Sequence, residues 1–284
     1  MFNFFKKQTI NGKRDIILHS HIFKNAGTTF DHTLEKNFSK GFFDHREDKD
    51  LVEGKQNYLN GFLDKHLNIK AFSSHSVHFR AKNSDKYNFH QIYFLRHPIE
   101  RIKSVYNFEK KQPAELSMGA KMAKELNLQE YIKWRMQDNV AATIRNCHTV
   151  FLSGDGPNST KIDEKFESAK HNLYDVHLVG IVDRYDESMV VFEEYLRKYF
   201  PSIDLSYVRK NVTDTVTGVS MEEKADKLLL DLDEELRHLV LEKNAYDIEI
   251  YKLASDLLDE KINRINDFDV KLQKFQQRCQ ELNG

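Results

Sequence analysis

Two hydrophobic periods alternate along the chain. The run DIILHSHI (15–22) is short, β-branched and almost continuously apolar, which predicts a buried strand. The stretch TTFDHTLEKNF that follows spaces Phe30, Leu34 and Phe38 four apart, one face of a helix. Thr28 or Thr29 is the expected cap. Residues 39–66 are polar and weakly periodic, suggesting a loop with a short helix. IKAFSS (69–74), HQIYFL (90–95) and VHLVGIV (176–182) read as further strands. Pro98 opens a helix PIERIKSVYNFEKK, since proline suits a first helical turn. A helix is predicted over 128–148, with Tyr131, Trp134, Val140 and Ile144 near one stripe, and another over DESMVVFEEYLRKYF with Asp186 as its cap. Strands separated by helices predict an α/β fold, a parallel sheet flanked by helices.

Beyond residue 220 the pattern turns helical and highly charged. Leu258, Ile262, Ile265, Phe268, Leu272, Phe275, Cys279 and Leu282 step by threes and fours, a coiled-coil-like seam. Residues 257–284 therefore read as an amphipathic C-terminal helix that either packs on its own domain or forms a homodimer contact. No internal repeat or linker is visible, and only 4 prolines interrupt the chain.

Composition narrows the function classes. The 284 residues suffice for one large domain or two small ones, and 40% hydrophobic content is ordinary for a core. Charged residues reach 31%, but 43 basic against 44 acidic residues leave a formal net charge of -1. No global field exists to recruit nucleic acid or a membrane surface, so basic chemistry must be local. Cys147 and Cys279 lie far apart with no metal-type spacing and read as two reduced thiols of an intracellular protein. No run approaches the roughly 18 apolar residues of a membrane span. The opening MFNFFKKQTINGKRD lacks the apolar region of a secretory signal, so a soluble, cytoplasmic protein is expected.

Two strand-to-helix junctions carry candidate chemistry. In HIFKNAGTTF, Lys24, Asn25, Ala26, Gly27, Thr28 and Thr29 lie where backbone N–H groups and the helix dipole favour an anion. Gly27 permits close approach, the threonines supply hydroxyls, and Lys24 supplies a mobile charge. The nucleotide-binding spelling G-x-x-x-x-G-K-S/T is absent, because the lysine precedes the glycine. The second junction, YFLRHPIERIKSVY (93–106), puts Arg96 at a strand end and Ser104 two turns into the helix. Arginine offers a planar fork for phosphate, which a serine hydroxyl completes. Two anion sites at the carboxyl ends of parallel strands suit one ligand with phosphates at two separated positions.

These segments resemble a family. HIFKNAGTTF is similar to the H-I-P-K-T-A/G-G-T-S/T loop of carbohydrate sulfotransferases that use 3′-phosphoadenosine 5′-phosphosulfate (PAPS), and LRHPIERIKSVY resembles their R-D/N-P-x-x-R-x-x-S-x-Y segment. The resemblance implies that the first segment binds the 5′-phosphosulfate and the second the 3′-phosphate. RNCHTVFLSG (145–154), AKHNLYDVHLVGIVDRYDESMVVFEEYL and EKNAYDIEIYKLA (242–254) resemble further segments of relatives acting on heparan-type chains. Coverage runs from about 14 to 256, so residues 1–256 are expected to form a P-loop-like sulfotransferase domain. Phe23 replaces the usual proline, Asn25 a threonine and His97 an acid, while Lys24, Gly27, Thr28, Arg96 and Ser104 keep the pattern.

The implied reaction moves a sulfuryl group to a carbohydrate hydroxyl by in-line displacement, leaving 3′,5′-bisphosphoadenosine and requiring no metal. Lys24 is the expected cation beside the leaving oxygen. A base must take the hydroxyl proton. His75 in FSSHSVHF resembles the base of uronyl 2-O-type relatives, with Ser74 standing for their glycine and Phe79 one residue late; His78 is the alternative. Arg209 and Lys210 in SYVRKNVTD resemble a basic segment closing over the cofactor. Arg101 and Tyr106 serve either folding or the ligand; Arg145 and Thr149 either face the acceptor or cap a helix. His19 and His21 share a strand face like half a metal site, but with no third ligand in view a structural role is expected. The competing readings are a P-loop-type nucleotide kinase or NTPase, which lacks the G-K-S/T and an aspartate for magnesium, and a non-catalytic nucleotide- or glycan-binding module.

Overall fold

The computed structural model describes residues 12–46, 48–154, 161–208 and 220–283. Strands β1 (Arg14–Ser20), β2 (Phe42–Asp44), β3 (Ala71–Ser74), β4 (Tyr87–Leu95) and β5 (Leu178–Ile181) pair in parallel in the order β2-β3-β1-β4-β5. The α/β parallel sheet expected from the strand and helix alternation is present. β1 is central because its side chains are buried on both faces. Ile16 and Leu18 join one cluster with Leu51, Leu59 and Leu63, while Ile17 joins another with Phe30 and Leu34. After β1 the chain builds β2 and β3 on one side and then crosses to place β4 on the other. That reversal opens a crevice beyond the carboxyl ends of β1, β3 and β4.

The helices are α1 (Gly27–Phe38), α2 (Asp48–Lys65), α3 (Pro98–Lys111), α4 (Met118–Glu125), α5 (Leu128–Arg135), α6 (Cys147–Leu152), α7 (Ile162–Asp175), α8 (Tyr185–Leu196), α9 (Met221–Leu230), α10 (Glu234–Lys243), α11 (Ala245–Ile262) and α12 (Phe268–Asn283). Residues 39–66 hold more order than their pattern suggests: the edge strand β2 and the long α2, bent at Lys55. A three-residue strand is too short to show alternation, and Gly54 and Gly61 dilute the helical signal. The helix predicted over 128–148 stops at Arg135, and turns at 136–146 precede α6. Asp138 and Asn139 favour turns, and Asn146, left-handed at φ 42°, restarts the helix. Helix α1 starts from Ala26 with no threonine cap, and α8 starts from Arg184. Asp186 lies in the first turn of α8 and accepts the Tyr207 hydroxyl at 2.6 Å.

The C-terminal seam is divided. Leu258 and Ile262 end α11, and the chain bends through Asp267 (φ 55°) into α12, which packs back on α8. Leu258 and Phe275 are fully buried, and of the eight seam residues Leu282 is the exposed one. The apolar face invoked for a dimer contact is thus largely covered within the chain. No helix among the described residues is long and apolar enough to cross a membrane.

Helices α3, α4, α5, α9 and α10 enclose a separate core, with Ile102, Tyr131, Ile132, Leu236 and Val240 among its members. At its edge Arg135 donates to Glu109 at 2.8 Å and to the Tyr131 hydroxyl at 2.9 Å, and the Tyr131 hydroxyl donates to Glu109. Both charges are almost wholly buried. Arg135→Met should therefore cost about 3–5 kcal/mol, because it strands a buried carboxylate. The urea midpoint should fall at unchanged m, and Glu109→Gln added to Arg135→Met should recover part of the loss.

Candidate active site

The β1–α1 loop is held in an unusual backbone path. Lys24 and Ala26 both adopt left-handed geometry, φ 63° and 59°. Alternating left-handed residues turn successive N–H groups inward into an anion-holding nest, at a cost of order 1–3 kcal/mol per residue. The start of α1 adds first-turn N–H groups that no intrahelical carbonyl satisfies. Arg101, buried, clamps the loop from below, donating to the Phe23 carbonyl at 3.0 Å and the Thr143 carbonyl at 2.7 Å. Its role is to support the loop. Tyr106 donates to the Leu126 carbonyl at 3.0 Å and belongs to the core of α3.

The Asn25 side chain is buried and turned into the protein. Its amide donates to the Phe94 carbonyl at 2.8 Å and to His148 Nε2 at 2.9 Å, and its backbone N–H donates to the Ile22 carbonyl at 3.2 Å, so the donors of Asn25 are spent on shaping the loop. His148 is fully buried and sits beside Asp247 of α11 at 3.6 Å. Asp247 also accepts from the backbone of His148 and Thr149 and from the Thr149 hydroxyl, at 2.8–2.9 Å. Asp247 thus caps the first turn of α6, and the Thr149 hydroxyl is committed to it. Arg145 is likewise committed, to Asp138 and to the Val140 carbonyl.

The bond from Asn25 requires His148 Nε2 to be unprotonated, and burial pushes its pKa down to about 4. The unfolded chain takes up this proton first, near pH 6.5. The stabilisation is complete above about pH 6.5 and is lost as pH falls toward about 4, up to about 3 kcal/mol from this one group. The measured unfolding free energy should decline over that window, and His148→Gln, which retains an acceptor, should flatten the slope. His75, His21 and His90, also lowered by burial, act in the same direction.

The second junction meets the first. Arg96, at the end of β4, donates to the Ser104 hydroxyl at 3.1 Å and to the Lys24 carbonyl at 3.4 Å, while Glu100 grips its other face at 2.8 Å. The two sequence motifs, 72 residues apart, thus form one cluster. Lys24 is half-buried, its ammonium 4.6 Å over the Phe108 ring. Burial, then the neighbouring Arg96, Lys111 and Arg101, lower its pKa. Four cations facing one loop, with a single carboxylate among them, make a local field for an anion that the chain's net charge conceals. Gly27 is buried, Thr28 exposed at the first turn of α1, and Thr29 buried beneath it. Arg209 and Lys210 lie outside the described residues.

His75 follows β3 directly and stands against the same loop. Its Nδ1 donates to the His21 carbonyl at 2.6 Å, which leaves Nε2 with a free lone pair. Burial, and next the charge of His21, lower its pKa to about 4. His78 instead stacks on Phe151 at 4.2 Å, away from this contact. Behind His75 lies a group that sequence reasoning missed. Asp31 of α1 reaches His19 Nδ1 at 2.7 Å and His21 Nδ1 at 2.9 Å, supplying the third group that the sequence neighbourhood of the two histidines lacks. Two donors sharing a tetrahedral zinc stand about 3.3 Å apart. The shorter separations here are those of direct hydrogen bonds and ion pairs. The available signal was an acid three residues before Leu34, on the buried face of an amphipathic helix.

An uncharacterized protein of Archaeoglobus fulgidus is 28% identical over 253 residues, covering 87% of this chain and 98% of that protein. No solved structure gives a significant match. Residues 7–254, spanning both anion motifs, His75 and Asp247, match the model of the sulfotransferase family. The chain belongs to the sulfotransferase family.

Proposed function

We propose that this protein transfers the sulfuryl group of PAPS to a hydroxyl of a carbohydrate acceptor, with His75 as general base. The observation that carries the reading is the Arg96 guanidinium, which touches both the Lys24 carbonyl and the Ser104 hydroxyl. It fuses a loop suited to one phosphate and a helix suited to another into a single cradle, with a histidine base on its rim. The residues fit such a donor: left-handed Lys24 and Ala26 and the first turn of α1 for the 5′-phosphosulfate, Arg96 and Ser104 for the 3′-phosphate. Bound there, PAPS supplies an activated sulfuryl group and a phosphate leaving group.

The chain's own residues supply the rest. His75 Nε2 accepts the proton of the acceptor hydroxyl as its oxygen bonds to sulfur. Lys24 balances the charge that grows on the leaving oxygen, and its pKa is lowered first by burial and then by the neighbouring cations. His75 and Arg46 lie on the β2–β3 side of the crevice and Arg96 on the β4 side, so donor and acceptor can enter from opposite directions.

Labelled PAPS offered with a panel of glycans tests the reading directly, alongside calorimetry with bisphosphoadenosine. Sulfate incorporation with bisphosphoadenosine binding supports it. The absence of both signals overturns it, and a melting temperature raised by ATP and not by bisphosphoadenosine overturns it in favour of a kinase or NTPase.

A further inference from the structure

A histidine whose unprotonated form is favoured by burial is ready to accept a proton but poorly placed to keep one. The imidazolium formed during transfer needs compensation. The Arg46 charge disfavours it, and the Asp31 carboxylate favours it. Asp31 is buried at the first turns of α1, ionised well below the usual carboxylate range by its two histidines. One carboxylate oxygen takes His19 Nδ1, which Ser73 also holds at 3.0 Å. The other lies 2.9 Å from His21 Nδ1, off the line of a good hydrogen bond, so the attraction there is chiefly electrostatic. The His21 ring packs on the His75 ring with centroids 4.1 Å apart, and its own carbonyl fixes the His75 tautomer.

We propose that Asp31 is a positioning and charge-balancing residue for His75, acting through the His21 side chain. The inference rests on His75 being the base. Asp31 touches neither donor nor acceptor; it holds the His21 ring against His75 and offsets the charge that His75 acquires when its Nε2 takes the hydroxyl proton. A carboxylate in this place lowers the barrier to proton transfer without altering the anion cradle.

The test is a double-mutant cycle on sulfuryl transfer, with bisphosphoadenosine affinity as the check on folding. Asp31→Asn should lower kcat about tenfold or more while the KM for PAPS and the affinity for bisphosphoadenosine stay as they were. In a His75→Ala background the same substitution should cost nothing further, because its route to the reaction is gone. Equal losses in both backgrounds would mark Asp31 as a structural residue and overturn the proposal, as would no loss in either. Should Asp31→Asn fail to bind bisphosphoadenosine, His21→Phe decides by the same criterion, since it keeps the ring and the backbone carbonyl but severs the contact to Asp31. Wild-type transfer by His75→Ala alone would remove the base reading itself, and is legible separately from the cycle.

Discussion

His75→Ala should reduce sulfuryl transfer by about 10²–10⁴-fold while leaving bisphosphoadenosine bound as tightly as before. The split follows from placement. His75 touches the loop entry through its Nδ1 bond to the His21 carbonyl and through ring packing on His21, whereas Arg96 and Ser104 bond each other. Losing that bond costs about 1 kcal/mol, too little to unmake the cradle. Losing Nε2 removes the lone pair proposed to take the acceptor's proton. In the wild type, the acid limb of kcat/KM should fall near pH 4, where burial puts the His75 pKa, and the profile should be flat through neutrality. Transfer that survives the substitution within a factor of about three, or an acid limb near the ordinary histidine value of 6.5, would assign the proton to another group.

Gly27→Ala should be more damaging to binding than any single loss of a cation. Gly27 begins α1 directly over the His21 ring, and an added Cβ would lie 2.2 Å from Cδ2 and 2.3 Å from Nε2. These are ring atoms that cannot swing aside freely: His21 is held by Asp31 on one side and packed on His75 on the other. Relief requires moving either the ring, which breaks its pairing with the carboxylate, or the helix start, which reshapes the nest. Bisphosphoadenosine affinity and transfer should fall together by about 100-fold or more, with each 1.4 kcal/mol of displaced binding energy worth a factor of ten. Calorimetry separates the cases: a Gly27→Ala variant that binds normally and fails only in turnover would show that the ring, and not the nest, had yielded.

The strand–loop–helix junctions were legible because each is local. Lys24 to Thr29 and Arg96 to Ser104 each mark a strand end and a helix start within a dozen residues, and the parallel sheet follows from the alternation of apolar runs. What joins them was not. Asn25 reads as a polar loop residue until His148, 123 positions later, comes to rest against it. Whether Thr149 and Arg145 face an acceptor or cap a helix stayed open in the sequence, because their partners are a distant aspartate and a turn that a helical pattern disguised. Asp31 looked like an ordinary helix residue, since nothing in a one-dimensional pattern says that two histidines on the preceding strand converge on it. The C-terminal seam was a true apolar stripe, but periodicity cannot show the bend at Asp267 that turns it inward.

The chain from Asn25 through His148 to Asp247 also sets an order of assembly. The β1–α1 loop takes part of its anchor from a helix completed some two hundred residues later. The strands β1 to β4 can associate earlier, but the contacts beneath the β1–α1 loop stay unfinished until α11 has docked. A nascent or C-terminally shortened chain ending before Asp247 would carry every residue of both strand–helix motifs and still lack part of the support beneath the first of them.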